Sequence, residues 1–264
     1  MTNGFYLYRH SWISFPHFDC QLSDSQCADL LKQGGWMVRN TFDFDCNTPT
    51  DFWYIIKDSF GGMDELSTDV RNMIRRAFNR YEYKMVDIQL IENEGFGIAK
   101  KVNDSFVLKD RRMNSAIFEE LLKSWKNGNC DYWGVFDLNQ NFVGFAVVRV
   151  FDSGCFYDMI SICPEYKHDA SYPYYGFFYK LNEYYLGEKH FKYVTDGSRS
   201  VTEHSNIQPF LMQKFNFRKA YCKLKIKYKW WFGIAVKLLL PFRNIIGNRN
   251  VKAVLNMHKM QYAH

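Results

Sequence analysis

The segment Asp196-Gly197-Ser198-Arg199-Ser200 concentrates more functional chemistry than any other in this chain. Arg199 could hold a substrate carboxylate or phosphate through its bidentate fork, with Asp196 as a second polar contact. The same residues also make an ordinary loop, in which Gly197 turns the chain and Asp196 pairs with Arg199. Other groupings point away from chemistry. His10, His17 and Cys20 lack the spacing of a closed zinc site, so no metal is expected. The seven cysteines include no CxxC pair. Cys155 and Cys163 fall on one face of one strand, too far apart along it for a disulfide. Reduced thiols, with a Met1 end that lacks the basic and then apolar layout of a signal peptide, predict a cytoplasmic protein.

The hydrophobic periodicity supplies the elements that must position these groups. Up to about residue 80 it predicts a helix over 23–33, strands over 36–44 and 52–56, a turn at Gly61-Gly62, and a helix over 66–77. In that helix Val70, Met73, Ile74 and Ala77 share a stripe and Ser67 caps the start. From Tyr81 onward the pattern reads strand 83–90, helices 92–102 and 115–126, and strands 133–138, 142–151 and 155–163. Helix 173–186, strand 191–195, helix 205–215 and a last strand over 218–229 complete it. Asn216 sits where a left-handed helix stop is needed. In the last strand Ala220, Cys222, Leu224, Ile226 and Tyr228 alternate with a lysine ladder, giving one buried face and one basic face. With 264 residues, 47% of them hydrophobic, the chain can build one large domain or a domain with a partial second.

This order, ending in Lys214-Phe215-Asn216-Phe217-Arg218 before a long strand, resembles the GNAT acyltransferase fold. Ile162-Cys163-Pro164-Glu165-Tyr166-Lys167 is similar to that family's strand end followed by Pro-Glu-Tyr-Arg, and Gly176-Phe177-Phe178-Tyr179-Lys180-Leu181 to the start of its cofactor helix. Ser67, Arg71 and the pair Arg75-Arg76 resemble a helix of the Fem-type aminoacyltransferases, which carry two GNAT-like units. The fold class implied is α/β: a mixed, mainly antiparallel GNAT-like sheet flanked by helices, with an N-terminal α/β extension (1–80), a GNAT-like domain (81–229) and a C-terminal helical arm (230–264).

The resemblance implies a site. An acetyl-CoA or other acyl-CoA donor would hydrogen-bond the strand at Ile160 and Ile162, and its pyrophosphate would meet the next helix start near Lys167, Tyr175 and Gly176. Asn206, otherwise a plain helix cap, joins this cofactor set. Asp158 and Glu165 are the candidates for general base, against the alternative of surface carboxylates. The family's tyrosine acid is replaced by Met212, so Tyr221 or Tyr179 would have to donate the proton. The glycine turn that cradles the pyrophosphate is also absent from 168–175. The activity implied is N-acyl transfer from acyl-CoA to an amine, either a small molecule or a cell-envelope precursor. Two alternatives remain: a Fem-type enzyme using aminoacyl-tRNA, and a catalytically silent GNAT-like binding protein.

Charge adds an anionic partner to the expectations. Of 34 basic residues twelve follow Glu203, the last of the 28 acidic ones, so a body of −6 carries a tail of +12. Such a tail suits RNA, anionic lipid, a phosphate-bearing cofactor or substrate, or the acidic body itself. Within it, the apolar stretch from Trp230 to Phe242 is too short to span a bilayer. Its paired tryptophans and flanking Lys and Arg suit an interfacial helix at the inner face of the membrane. The alternative is a helix covered by the sheet or by a second copy in a homodimer.

Overall fold

The computed structural model describes residues 5–8, 10–14, 20–106, 112–166, 170–200 and 207–262. In chain order the elements are β1 (Phe5–Tyr8), β2 (Ser11–Ser14), α1 (Asp24–Gln33), β3 (Met37–Phe42), β4 (Trp53–Lys57), α2 (Thr68–Phe78) and β5 (Tyr81–Met85). There follow α3 (Ile88–Leu90), α4 (Phe96–Ser105), α5 (Ser115–Lys126), β6 (Cys130–Asp137), β7 (Phe142–Val150) and β8 (Gly154–Ile162). The chain continues through α6 (Pro173–Asn182), β9 (Tyr193–Ser198), α7 (Ile207–Phe215), β10 (Arg218–Tyr221), β11 (Lys223–Tyr228), α8 (Trp230–Leu239) and α9 (Arg249–Met260).

Two compact units result: Met1–Ile55, Ser198–Asn206 and Lys219–His264 form the first, and Ile56–Gly197 with Ile207–Arg218 the second. These divisions fall elsewhere than residues 80 and 229. Helix α2 packs against α6 and so folds with the second unit, whereas β11 pairs with β3 and so folds with the first.

In the first unit a four-stranded sheet runs β1-β2-β3-β11, with β2 parallel to β3 and the other pairs antiparallel. Helix α1 begins with a reciprocal capping box between Ser23 and Gln26, and buries Cys27, Leu30 and Leu31 against Phe5, Trp12 and Val38. The alternation predicted from 218 to 229 holds, since Ala220, Cys222, Leu224 and Ile226 are buried. The single strand does not. It breaks at Cys222, whose N–H donates to the Phe52 carbonyl and whose own carbonyl accepts from the Thr50 hydroxyl at 2.9 Å. β10 therefore lies beside β4, and β11 beside β3. Much of the lysine ladder is answered within this unit: Lys223 pairs with Asp43, and Lys225 and Lys227 with Asp24.

The strands of the second unit run β9-β8-β7-β6-β5, antiparallel except that β9 is parallel to β8. Trp125 and Phe118 of α5, Ile98 and Val102 of α4, and Phe145 and Val147 of β7 form one core cluster. α6 and α2 make another layer, where a Cβ at Gly176 would stand 2.5 Å from the Tyr83 hydroxyl and 2.8 Å from Ala77 Cβ. Only glycine permits that approach. The strand predicted over 83–90 ends at Met85 because Asp87 accepts from the Gln89 N–H and starts a helical run there. Lys57, 2% exposed, is neutralised by Glu65 at 2.9 Å.

Candidate functional site

The site begins as a gap in a sheet. β8 and β9 pair only through Gly154–Tyr193, Cys155–Val194 and Phe156–Thr195. Among the described residues, 157–162 of β8 have no partner on β9. β9 itself ends at Ser198, so the V between the strands is closed near Phe156 and opens over 157–159 of β8, with Ile160 to Ile162 lying beyond the end of β9. On its other side β8 stays paired with β7, and the Cys163 N–H donates to the Val143 carbonyl at 2.9 Å. Main-chain groups alternate in direction, so those of Ile162 and Ile160 face the gap.

Asp196 lies at the closed end of this V, one residue past the last pair. The Gly197 that follows is at φ 100°, a conformation that favours glycine, and its N–H donates to the Thr195 hydroxyl. Among the described residues no group donates to the Asp196 carboxyl, and burial alone pushes it up to about 7. A carboxyl held there switches charge near neutrality, which suits proton transfer. The neighbouring Tyr157 hydroxyl is buried and donates to Asn182 Oδ1 at 2.8 Å.

At the open end, the Ile162 N–H donates to the Tyr174 hydroxyl at 3.3 Å. Burial raises that phenol to about 12, so it is neutral at physiological pH. Helix α6 opens on Tyr172, left-handed at φ 52° with no side-chain cap, followed by Pro173, whose carbonyl accepts from the Tyr83 hydroxyl. Tyr175 packs its ring against Phe210 and Phe215, at centroid distances of 5.0 and 5.9 Å. Gly176 is buried under Tyr83. Lys167 and Asn206 lie outside the described residues.

The other two candidate carboxylates are engaged by cations. Val147 pairs with Met159 and Val148 with Tyr157, so Asp158 is the extra residue of a β-bulge. Its Oδ2 accepts from Arg149 Nε at 2.8 Å and from Trp125 Nε1 at 2.9 Å, tying the bulge to α5. Glu165 is exposed and paired with Lys101 at 2.8 Å. That hydrogen bond holds its carboxyl below the ordinary value, the opposite of what a base working near neutrality requires.

Arg199 and Tyr221 come together in the first unit, lining a cavity of ≈ 360 Å³ with Thr50, Asp51, Trp53 and Lys219. The Arg199 main-chain N–H donates to the Trp53 carbonyl and its guanidinium to the Asp51 carbonyl at 2.7 Å, which fixes the side chain. Lys219 Nζ stands 5.1 Å from the centre of the Trp53 ring. Two cations beside an aromatic ring and a phenol suit a carboxylate or phosphate. Among the described residues no three His, Cys, Asp or Glu side chains are placed to hold a metal ion.

Sequence reasoning named Asp196 only as a substrate contact, because its burial depends on residues far away in the chain. It did not single out Tyr174, one of eighteen tyrosines, whose position opposite Ile162 carries no local signal.

No family model matches the chain, and no curated protein sequence does. Solved structures do resemble it. FemX superposes with a TM-score of 0.54 at 10% identity, over 75% of this chain and 73% of that one. L-PGS from Bacillus licheniformis gives 0.50 at 10% identity, over 97% and 84% respectively. At this identity the likeness is one of fold: the chain has a GNAT-like fold with a Fem-type resemblance.

Proposed function

We propose that this chain is an acyltransferase that moves an activated acyl group onto an amine, with Asp196 as the base. The observation that carries the reading is Asp196 itself: a carboxyl raised to about 7 by burial, at the closed end of the V between β8 and β9. The amine nitrogen attacks the acyl carbonyl carbon, a C–N bond forms, and the bond to the leaving sulfur or oxygen breaks. The Asp196 carboxylate takes the proton that the attacking nitrogen sheds, the leaving sulfur or oxygen takes a proton from water, and Asp196 returns its own to solvent, so that one proton passes in net from the amine to the leaving group. In the first unit Arg199, Lys219 and Tyr221 supply an anion-binding cavity for a carboxylate or phosphate.

Two donors are compatible with the gap. Acyl-CoA would lay its pantetheine arm along Ile160 and Ile162. An aminoacyl ester of tRNA is favoured by two observations at the open end: the Ile162 N–H already has the Tyr174 hydroxyl, and α6 opens on Tyr172-Pro173 without a glycine turn. The test offers the purified chain acetyl-CoA or aminoacyl-tRNA, with a panel of primary amines, and measures thiol release or deacylation. Amine-dependent turnover with one donor is expected, falling about 100- to 10,000-fold in Asp196→Asn. Absence of turnover with both donors would overturn the proposal in favour of a silent binding protein.

A further inference from the structure

The sequence leaves α8 with two fates, covered by protein or facing something else. The structure covers one side of it and leaves the other bare. Of its ten residues only Val236 is buried. Trp230, Ile234 and Leu238 recur every four residues on the opposite face, at 79%, 52% and 67% exposed. Trp231 widens that face, and Phe242 and Ile245 prolong it beyond the helix, Ile245 being 80% exposed. The face is anchored from beneath: the Trp36 ring packs against Trp231 and Phe232 at 5.6 and 5.5 Å, and α8 rests on β11 and α9. This is a firmly held element presenting a contiguous apolar strip, a pattern that marks an interaction surface.

We infer that this strip docks on an anionic membrane surface, with α8 lying in the plane of the interface. The charges around it select that occupant. Lys229, Lys237 and Arg243 flank the strip, Arg249 and Lys252 open the next helix, and no acidic residue follows Glu203 anywhere in the chain. A second copy docked face to face would bring these cations against their own images. Anionic headgroups complement them. Paired tryptophans at one end of the helix and basic residues along its flanks suit a helix whose apolar side sits at the headgroup boundary. Among the described residues no helix is long and apolar enough to cross a membrane, so the contact is one of surface. The inference stands apart from the proposed reaction, because its readout is binding.

The experiment sediments the full chain with phosphatidylcholine vesicles, plain or containing about one part in three phosphatidylglycerol. Binding is expected only to the anionic vesicles and should be released by salt. Ile234→Ser with Leu238→Ser, both at exposed positions, should lower the partition coefficient at least about tenfold. Lys237→Gln with Arg243→Gln should lower it about fivefold per charge. Sedimentation velocity over a range of concentrations runs in parallel. Failure to bind anionic vesicles at low salt overturns the inference, as does binding that the double serine variant leaves unchanged. A dimer abolished by the serine pair, without vesicle binding, would assign the face to a second copy instead.

Discussion

Replacing Asp196 with Asn should stabilise the protein, and only above a definite pH. The substitution keeps the shape of the side chain and removes its charge. Burial raises the carboxyl from 3.8 to about 7. A rise of that size, at about 1.4 kcal/mol for each tenfold change in proton affinity, sets an upper bound of about 4 kcal/mol on the destabilisation carried by the ionised form. The side chain keeps some access to water, so about 2–3 kcal/mol is the expected effect. The sign follows from proton counting. Between the two pKa values the folded chain holds a proton that the unfolded chain releases, so the contribution of Asp196 to stability falls as pH rises from about 4 to about 7, then levels off. The Asn variant lacks this slope. Urea unfolding midpoints of the two proteins should coincide near about pH 4 and diverge in favour of the variant by about pH 8. Because other groups titrate over the same range, the difference between the two proteins is the quantity to read. Parallel profiles, or a variant less stable at the higher pH, would refute the reasoning and with it the case for Asp196 as a strained base.

Three other substitutions test the packing around the site. Glu65→Gln leaves the Lys57 ammonium, 2% exposed, without its partner and should cost about 3–5 kcal/mol in urea unfolding. Gly176→Ala forces a methyl group against the Tyr83 hydroxyl and should cost about 1–3 kcal/mol; an unchanged midpoint would show that α6 can shift away from α2. Asp158→Ala removes the acceptor shared by Arg149 and Trp125 and should cost about 1.5–3 kcal/mol while leaving the pH dependence of turnover intact. Loss of the pH limb in that variant would move the base from Asp196 to Asp158.

The sequence disclosed features that local geometry decides. Asn216 adopts the left-handed conformation that a helix stop needs, at φ 56°, and Ser67 caps α2 by accepting from the Val70 N–H. Most of the order from α1 onward was likewise legible from periodicity, and its resemblance to the GNAT order supplied the architecture, whereas β1 and β2 were not foreseen. Features fixed by remote partners were not. Alternation from Arg218 to Tyr228 correctly separates buried from exposed positions, yet a period of two cannot say that the strand changes neighbours at Cys222. The environment of Asp196 depends on which side chains surround the end of β9, and no spacing encodes that. Composition left α8 ambiguous because an apolar segment reads alike whether covered or bare. The exposure of Trp230, Ile234 and Leu238 shows that the chain's own sheet does not cover that face.

The pairing of β3 with β11, which sets Met37 opposite Tyr228, has a consequence for the order of synthesis. The first unit is assembled from segments on either side of the second, so its sheet cannot close until β11 leaves the ribosome. Translation from β3 to β11 takes roughly 10 to 40 s at ordinary elongation rates. Throughout that interval β3 has an unpaired edge, a template for pairing with other chains. The second unit draws most of its residues from the intervening stretch and can form meanwhile. Translation arrested before Lys223 would therefore release a largely finished second unit still joined to an open strand edge. A stop codon just before Lys223 should accordingly yield an aggregating species, recoverable in the insoluble fraction.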